Sequence, residues 1–333
     1  MRYALLLWPH ANIRYMEALH KLAKAELGCL LDALGITATI RPLSLGGAPF
    51  LSFESDPLDE TAQAALSSLA SFYLCCLEAD GRLTPLPPTF PWSLPADAAE
   101  VLKYKGKTNA AFTALMLNCA LFASDFFPAL PPVSPLTVLD PMCGKGTTLF
   151  CALRRGFNAA GIEIDKGDAG EAADYFSRYL QTHRLKHQKK SLSLTLPQAR
   201  SAPETRFTFT PPAGGELCLR LIHGDARQAG VLLKAGSVHL MVCDLPYGVQ
   251  HAPQAGRRTQ SFETLLAQCL SGLRSVLRPG GAAAFSFNTY TLPRQTLCAL
   301  LEAAGFSVVS APPYHDFAHW VEQAVNRDVI IAR

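Results

Sequence analysis

From residue 136 onward, short apolar runs alternate with segments of helical spacing, and four successive runs end in or near an acidic residue. The runs are "LTVLD" (136–140), "NAAGIEID" (158–165), "ELCLRLIHGD" (216–225) and "SVHLMVCD" (237–244). Strands that alternate with helices form a parallel sheet that helices cover on both faces. Because the carboxyl ends of parallel strands meet at one edge, we expect the four acids to lie along one crevice. The pattern predicts an α/β domain with a ligand site at that edge.

The first run leads into a glycine turn, "DPMCGKGTTLF" (140–150). A Walker A loop would need a glycine six residues before Lys145, and a dinucleotide fingerprint would need a third glycine at position 149; both positions hold leucine. The remaining interpretation is an S-adenosylmethionine site, in which Gly144 and Gly146 let the cofactor lie against the backbone.

The acids at the strand ends fit that interpretation. Asp140 can face the amino group of the methionine moiety, Glu163 can accept both ribose hydroxyls, and Asp225 can accept from the adenine amino group. A single acid at a strand end is usually a turn former or a helix cap. Four in succession, with a glycine turn on the first, favour the cofactor.

The fourth run continues as "LMVCDLPYGV" (240–249), so a core strand ends in Asp244 and a rigid turn. Together, "DPMCGKGT", "GIEID", "HGDA" and "DLPYG" resemble the class I S-adenosylmethionine-dependent methyltransferases that act on exocyclic amines. The likeness is greatest to the RNA methylase group that contains the tRNA guanine-N2 methyltransferases. It covers about residues 100–333 and includes "KYKGKTNAAFTALMLN" (103–118) and "SFNTY" (286–290).

The resemblance implies a role for each residue of the tetrapeptide. Asp244 and the main-chain carbonyl of Leu245 would accept hydrogen bonds from the target amine, Pro246 would stiffen the turn, and Tyr247 would stack on the flipped base. Two fixed acceptors would align the nitrogen with the sulfonium methyl and stabilise the positive charge that develops on it.

The resemblance also implies further cofactor contacts. Thr108 would contact the carboxylate of the methionine moiety, Phe112 would form an apolar lid, and Asn288 would meet the substrate at the rim. A helix cap at Thr108 or Asn109, followed by core residues, is an equally good interpretation of that segment. The remaining expected cofactor contacts are Met142, Cys143, Thr147, Ile164, Ala226 and Asp244, the last of which would lie beside the methyl group of the cofactor.

The predicted organisation has three parts. Residues 1–95 should form a small α+β, ferredoxin-like domain with helices over 15–34 and 58–78, and residues 96–130 a linker helix region. Residues 131–333 should form the Rossmann-like class I methyltransferase domain, with a mostly parallel seven-stranded sheet. A surface insertion or mobile loop, rich in Ser, Thr, Pro and Lys, is expected at about 183–216.

Composition narrows the class of protein. No stretch is apolar for long enough to span a membrane, and the chain start is interpreted as a strand rather than a signal peptide, so a cytoplasmic location is expected. The ten cysteines form no C-x-x-C pair and lie mostly in apolar runs, which predicts buried thiols and no metal site. The net charge of +3 is weak, but "HRLKHQKK" (183–190), "KYKGK" (103–107) and Arg257–Arg258 are local basic clusters, either solvated surface or phosphate contacts.

Three hypotheses follow. The first is an RNA methyltransferase that modifies a base amine, with guanine N2 in tRNA as the foremost target. The second keeps the chemistry but places it on an adenine amine of RNA or DNA, or on a glutamine amide of a protein. The third is a noncatalytic subunit that binds S-adenosylmethionine or RNA. The sequence leaves open whether a small activating protein is a partner.

Overall fold

The computed structural model describes residues 1–8, 13–100, 108–127, 135–197, 201–246 and 262–333, with backbone only for 13–17. The described residues contain two β-sheets. The first comprises five strands near the N-terminus, and the second extends through the rest of the chain in ten strands.

The first sheet belongs to a small α+β unit. Its elements are β1 (Arg2–Leu7), α1 (Ile13–Ala33), β2 (Arg41–Leu45), β3 (Ala48–Glu54), α2 (Glu60–Ser67), β4 (Phe72–Ala79) and β5 (Arg82–Leu86). All its strand pairs are antiparallel, in the order β2-β3-β1-β4-β5. Gly46 and Gly47 both have positive φ in the tight turn between β2 and β3, which glycine adopts at little cost. An α+β unit in this region was predicted, and the structure has one.

The helix predicted over 58–78 is wrong in its second half. α2 ends at Ser67, and the segment "FYLCCLEA" forms β4, paired with β1. The hydroxyls of Ser67 and Ser68 bond back to carbonyls three residues earlier, which closes the helix. The aromatic and apolar residues that follow gain cross-strand partners in the sheet that a longer helix would not provide.

The second sheet follows the strand–helix alternation. Its elements are β6 (Thr137–Asp140), α4 (Thr147–Arg154), β7 (Asn158–Glu163), α5 (Lys166–Thr182), β8 (His187–Thr195), β9 (Ser201–Phe209), β10 (Leu217–His223), α6 (Ala229–Leu232), β11 (Val238–Asp244), α7 (Phe262–Val276), β12 (Leu277–Asn288), α8 (Arg294–Ala303), β13 (Val308–Val309), β14 (His319–Glu322) and β15 (Val325–Ala332). The centre of the sheet consists of five parallel strands in the order β10-β7-β6-β11-β12. Beyond β12 lie β15 and then β13, and β15 is antiparallel to both β12 and β13. Strand β7, which follows β6 in the chain, lies on one side of β6, and β11, which comes later, lies on its other side. The switch point therefore lies between β6 and β11.

Residues 187–195 and 201–209 differ from the expected loop. They form a hairpin, in which β8 pairs with β9 and β9 pairs with β10, both antiparallel. Alternation of apolar and polar residues in β9, with Phe207 and Phe209 buried, explains why this polar segment is ordered as strand. The hairpin and β14 enlarge the predicted seven-stranded arrangement to ten strands among the described residues.

Helix α3 (Ala110–Phe122) lies between the two units and begins at Asn109, whose side chain accepts hydrogen bonds from two backbone amides. Near its C-terminal end, Asn118 donates to Oε1 of Glu26 at 2.6 Å and to the carbonyl of Ser68 at 3.0 Å. Arg155, which follows α4, donates to the amide oxygen of Asn118 and to the hydroxyl of Ser68. All four residues are buried. A polar network inside the core thus joins the N-terminal unit to the second sheet.

None of the helices in the described ranges combines the length and the apolarity needed to span a bilayer.

Candidate functional site

Three of the predicted acids meet at the carboxyl edge of the second sheet, on both sides of the switch point. Asp140 ends β6 in register with Gly161, so Glu163 of β7 lies two residues farther along. Asp244 ends β11 in register with Ser286 of β12. Burial raises the pKa of Asp140 to about 7, and the charges of Asp244 and Glu163 contribute in the same direction. The three carboxyl groups are therefore near enough to interact electrostatically.

The glycine turn folds back onto β7. Gly144 and Gly146 have φ of +49° and +90°, and Gly146 immediately precedes α4. The amide of Gly144 donates to Oε2 of Glu163 at 2.7 Å, and the amide of Cys143 donates to the carbonyl of Ile162 at 3.0 Å. A Cβ on Gly161 would lie 2.6 Å from Sγ of Cys143, so a side chain there would displace the turn.

Glu163 accepts from a second amide, that of Asp165, at 2.8 Å through its other oxygen. Burial raises the pKa of Glu163, while the bonds from Asp165 and Gly144 oppose that rise. Each carboxylate oxygen retains a further lone pair, so the group can still accept from a vicinal diol. Ile164, the next residue, is 57% exposed and provides an apolar surface beside it.

Asp140 is almost fully enclosed. Its Oδ1 accepts from the amide of Met142 at 3.0 Å, and Thr148 also bonds its side chain. These two contacts hold the carboxyl group under the first residues of the glycine turn.

Asp244 is partly buried and accepts a hydrogen bond from the hydroxyl of Thr108, the residue before the N-cap of α3. The next residue, Leu245, is buried and donates its amide to the carbonyl of Ser286 at 2.9 Å, which continues the pairing with β12 past the end of β11. Pro246 follows. Tyr247 lies outside the described residues.

Asp225 is at the end of β10, two strands from β6, and it has its own partner. Its side chain caps the short 3-10 turn that begins at Ala226 and accepts from Nε of Arg227 at 2.9 Å. Burial alone would raise the pKa of Asp225, but hydrogen bonds from Arg227 lower it below its usual range. Asp225 is thus an ionised acceptor already engaged by a cation.

Phe112 is buried in the first turn of α3. Its ring centroid lies 5.3 Å from that of His319, and the guanidinium carbon of Arg327 lies 4.7 Å from the centre of the ring. Burial lowers the pKa of His319, which favours the neutral imidazole. The role of Phe112 as a lid stays a prediction, as do the cofactor contacts of buried Thr147, Cys143 and Ala226.

Lys145 of the glycine turn is paired with acidic residues of α5. Its ammonium bonds Glu171 and lies 3.6 Å from Asp168, both in α5. This pairing holds the glycine turn against the first turns of α5.

Asn288 was predicted to meet the substrate at the rim, but it is only 2% exposed, so that prediction is wrong. Its Nδ2 donates to the carbonyl of Ala324 at 2.8 Å, and its Oδ1 accepts from the amides of Tyr290 and Asn326 at 3.1 Å each. It therefore fixes the turn after β12 to the start of β15. Tyr290 in that turn is 61% exposed at the same edge of the sheet as Asp244. The sequence analysis did not single it out, although it is the last residue of "SFNTY", because the substrate contact in that segment was assigned to Asn288.

Comparisons with known proteins give structural neighbours alone. No family model matches the chain, and the search of curated proteins found no match. A TehB-like SAM-dependent methyltransferase from Corynebacterium glutamicum is 15% identical, with a TM-score of 0.34 over 61% of this chain and 82% of that one. A T. thermophilus 16S rRNA N2 methyltransferase, solved with AdoMet and guanosine, is 16% identical, with a TM-score of 0.38 over 89% and 58%. An rRNA methylase from Streptococcus thermophilus is 10% identical, with a TM-score of 0.36 over 69% and 98%. Such a likeness assigns no activity to this chain, so the functional argument depends on its own residues.

Proposed function

We propose that this protein is an S-adenosylmethionine-dependent methyltransferase that modifies an exocyclic amine of a nucleobase in RNA, with guanine N2 of a tRNA as the first candidate target. The observation that carries the proposal is the meeting of Asp140, Glu163 and Asp244 around the glycine turn at the switch point. In open α/β sheets the switch point is where the crevice for a ligand forms.

The cofactor would lie across the turn at Gly144 and Gly146. Glu163, held by two backbone amides, would accept from the ribose hydroxyls, and exposed Ile164 would contact the adenine face. Asp140 would face the amino group of the methionine moiety, and a carboxylate there would pair with the ammonium charge. S-adenosylmethionine would supply a methyl group bound to a sulfonium.

Asp244 would position the amine to be methylated. The bond from Thr108 fixes Oδ2 of Asp244, and because a carboxylate has about four lone-pair sites, the group can also accept from the substrate N–H. As the nitrogen attacks and a positive charge develops on it, the carboxylate stabilises that charge and can accept the proton that the nitrogen releases. The carbonyl of Leu245 would be the second acceptor, and the pairing of its amide with Ser286 holds the peptide in place.

RNA is the favoured substrate class for two reasons. An aspartate at the first position of the tetrapeptide favours a base over a glutamine amide, and the exposed residues Arg184, Lys186 and Lys190 suit a polyanion. We include Tyr290 as an aromatic contact at the mouth, since a base that leaves its stack gains about 1–3 kcal/mol from an aromatic surface. The N-terminal unit, with the succession β1-α1-β2-β3-α2-β4, is inferred to be ferredoxin-like.

The experiment pairs cofactor binding with turnover. Titration calorimetry with S-adenosylmethionine should give similar affinities for wild type and Asp244→Ala. Mass spectrometry of nucleosides from cells that lack the protein should show one methylated guanosine reduced, restored by wild type but not by Asp244→Ala. Asp56→Ala, at an exposed acid in the N-terminal unit, is the matched control and should restore it. Loss of an N6-methyladenosine instead would move the target to adenine. If no methylated nucleoside changes although the cofactor binds, the protein is not a nucleobase methyltransferase.

A further inference from the structure

Three cationic residues lie directly opposite one another on neighbouring strands of the second sheet. Lys190 of β8 is in register with Arg206 of β9, which is in register with Arg220 of β10. Residues directly opposite on adjacent strands project from the same face. Since neighbouring strands are about 4.8 Å apart, this basic row extends about 10 Å across the sheet.

Like charges placed opposite each other destabilise a sheet, so the row needs a compensating group. Glu204 provides it from β9, with its side chain buried between the two arginines. Its carboxylate lies 2.7 Å from Nε of Arg206 and 2.8 Å from Nη2 of Arg220. Although burial raises the pKa of Glu204, the hydrogen bonds from Arg220 and Arg206 lower it below its usual range. One ionised carboxylate thus orients two guanidinium groups.

The row has more cations than Glu204 neutralises, because its single negative charge is shared by Arg206 and Arg220 and Lys190 adds a third positive charge. The side chains of Arg206 and Arg220 remain partly exposed at 37% and 27%, and Lys190 is exposed. The neighbouring residue Lys189 projects from the other face, where its ammonium lies 5.5 Å from the centre of the Phe207 ring and 3.9 Å from Asp174. Two adjacent lysines of "HRLKHQKK" therefore have different surroundings.

We propose that the basic row of Lys190, Arg206 and Arg220 binds the phosphate backbone of the RNA substrate. The inference rests on the proposed function, since it assigns RNA to the hairpin that extends the catalytic sheet. Arg220 lies on β10, three strands from β11 in the order β11-β6-β7-β10, or about 14 Å across the sheet. An RNA whose target base enters beside Asp244, at the end of β11, can therefore extend across the sheet to the row. Guanidinium groups held in fixed orientation match the geometry of phosphate oxygens.

The test measures RNA binding without cofactor, by fluorescence anisotropy of a fluorescein-labelled RNA hairpin with a single-stranded 3′ extension, over a series of salt concentrations. Lys190→Gln should weaken binding about fivefold and reduce the slope of log affinity against log salt by about 1, as expected when one phosphate contact is lost. Arg206→Gln should act similarly, because Arg220 still neutralises Glu204 in that variant. Lys189→Gln, the matched control on the opposite face, should change affinity by less than about twofold. Thermal melting checks that every variant is folded.

The outcomes separate this surface from the proposed function. If Lys190→Gln and Arg206→Gln bind RNA as wild type does while wild type methylates RNA, the basic row is wrong and the function stands. If both variants lose RNA affinity but no RNA is methylated, the surface stands and the function fails. Equal losses in Lys190→Gln and Lys189→Gln, or no RNA binding by wild type, would overturn the assignment of this face.

Discussion

The hydroxyl of Thr108 donates a hydrogen bond to Oδ2 of Asp244, joining the residue before the N-cap of α3 to the end of β11 across 136 positions of sequence. Asp244 is the group proposed to hold the substrate amine. Its orientation therefore depends on the segment that leads into α3, the helix that also carries Asn118 of the buried polar network. The position of this carboxylate is thus set from outside its own strand.

Replacing Thr108 by valine should reduce kcat/KM for methyl transfer by about 10- to 100-fold, the equivalent of a hydrogen bond to a charged group. The affinity for S-adenosylmethionine should stay within about twofold, because the lost bond is to Asp244 rather than to the cofactor. Thr108→Ser keeps the hydroxyl and should retain most of the activity. If the cofactor affinity falls in Thr108→Val while kcat is unchanged, Thr108 contacts the cofactor carboxylate, as the sequence resemblance implies.

The close approach of β7 to the glycine turn gives a second prediction. A Cβ on Gly161 would lie 2.6 Å from Sγ of Cys143 and 2.7 Å from Cδ1 of Leu149, so Gly161→Ala must displace the turn. We expect a loss of about 1–3 kcal/mol in the free energy of unfolding, measured by urea denaturation, and weaker cofactor binding.

Gly170→Ala is the matched control, since an added Cβ there meets nothing within 4 Å. Gly170 lies inside α5, where alanine should raise the free energy of unfolding by about 0.4–1 kcal/mol. If both substitutions change the free energy of unfolding equally, the absence of a side chain at Gly161 is not what allows the glycine turn to pack against β7.

The acids at the strand ends and the glycine turn were predictable because each is recognised from a few adjacent residues. An apolar run marks a buried strand, and the residue that ends it must lie at the carboxyl edge of the sheet. The register of β6, β7 and β11 then brings Asp140, Glu163 and Asp244 together without further information. A linker helix region was likewise predicted at 96–130, and α3 lies within that range with nearly all of its residues buried.

Other features depend on partners far along the chain, and the sequence did not reveal them. "FYLCCLEA" has an apolar pattern compatible with a continued helix, and it is the pairing with β1 that makes it a strand. Asn288 was predicted at the rim, but its backbone partners lie about 36 residues away at Ala324 and Asn326. The hairpin of β8 and β9 looked like a loop because its buried phenylalanines are few among Ser, Thr and Lys.

The buried network between the two units gives a third prediction. Burial raises the pKa of Glu26 to about 7 and lowers that of Arg155 to about 9, since each charge is removed from water. Arg155→Met should lower the free energy of unfolding by about 3–5 kcal/mol, because it leaves a buried carboxyl group without its cation.

A double-mutant cycle with Glu26→Gln tests whether the two residues act together. The double variant should be more stable than the sum of the single losses predicts, with a coupling of about 1–3 kcal/mol in urea denaturation. Arg2→Gln, which removes a solvent-exposed cation paired with Glu54 and Glu78, is the control and should change stability little. Additive losses would mean that Glu26 and Arg155 stabilise the junction independently.

The raised pKa of Asp140 predicts how cofactor binding depends on pH. With a pKa of about 7 in the free protein, Asp140 is protonated below that pH and ionised above it. In the proposed site the ammonium group of the cofactor pairs with the ionised carboxylate of Asp140, so binding below pH 7 should release a proton. The affinity should therefore rise about tenfold per pH unit up to about 7 and level off above it. Calorimetry at pH 6, 7 and 8, in buffers of different ionisation enthalpy, measures both the affinity and the released proton.

Two variants decide which group is responsible for that dependence. Asp140→Asn cannot ionise, so its affinity should be low and flat across the range, with no proton released. His319→Gln removes a second titratable group, the imidazole that packs on Phe112 and whose pKa burial lowers, and it should keep the slope of wild type. If instead the slope persists in Asp140→Asn and disappears in His319→Gln, the cofactor's amino group does not pair with Asp140. The methionine end of the cofactor would then have to lie on the Phe112 side of the crevice, where His319 packs.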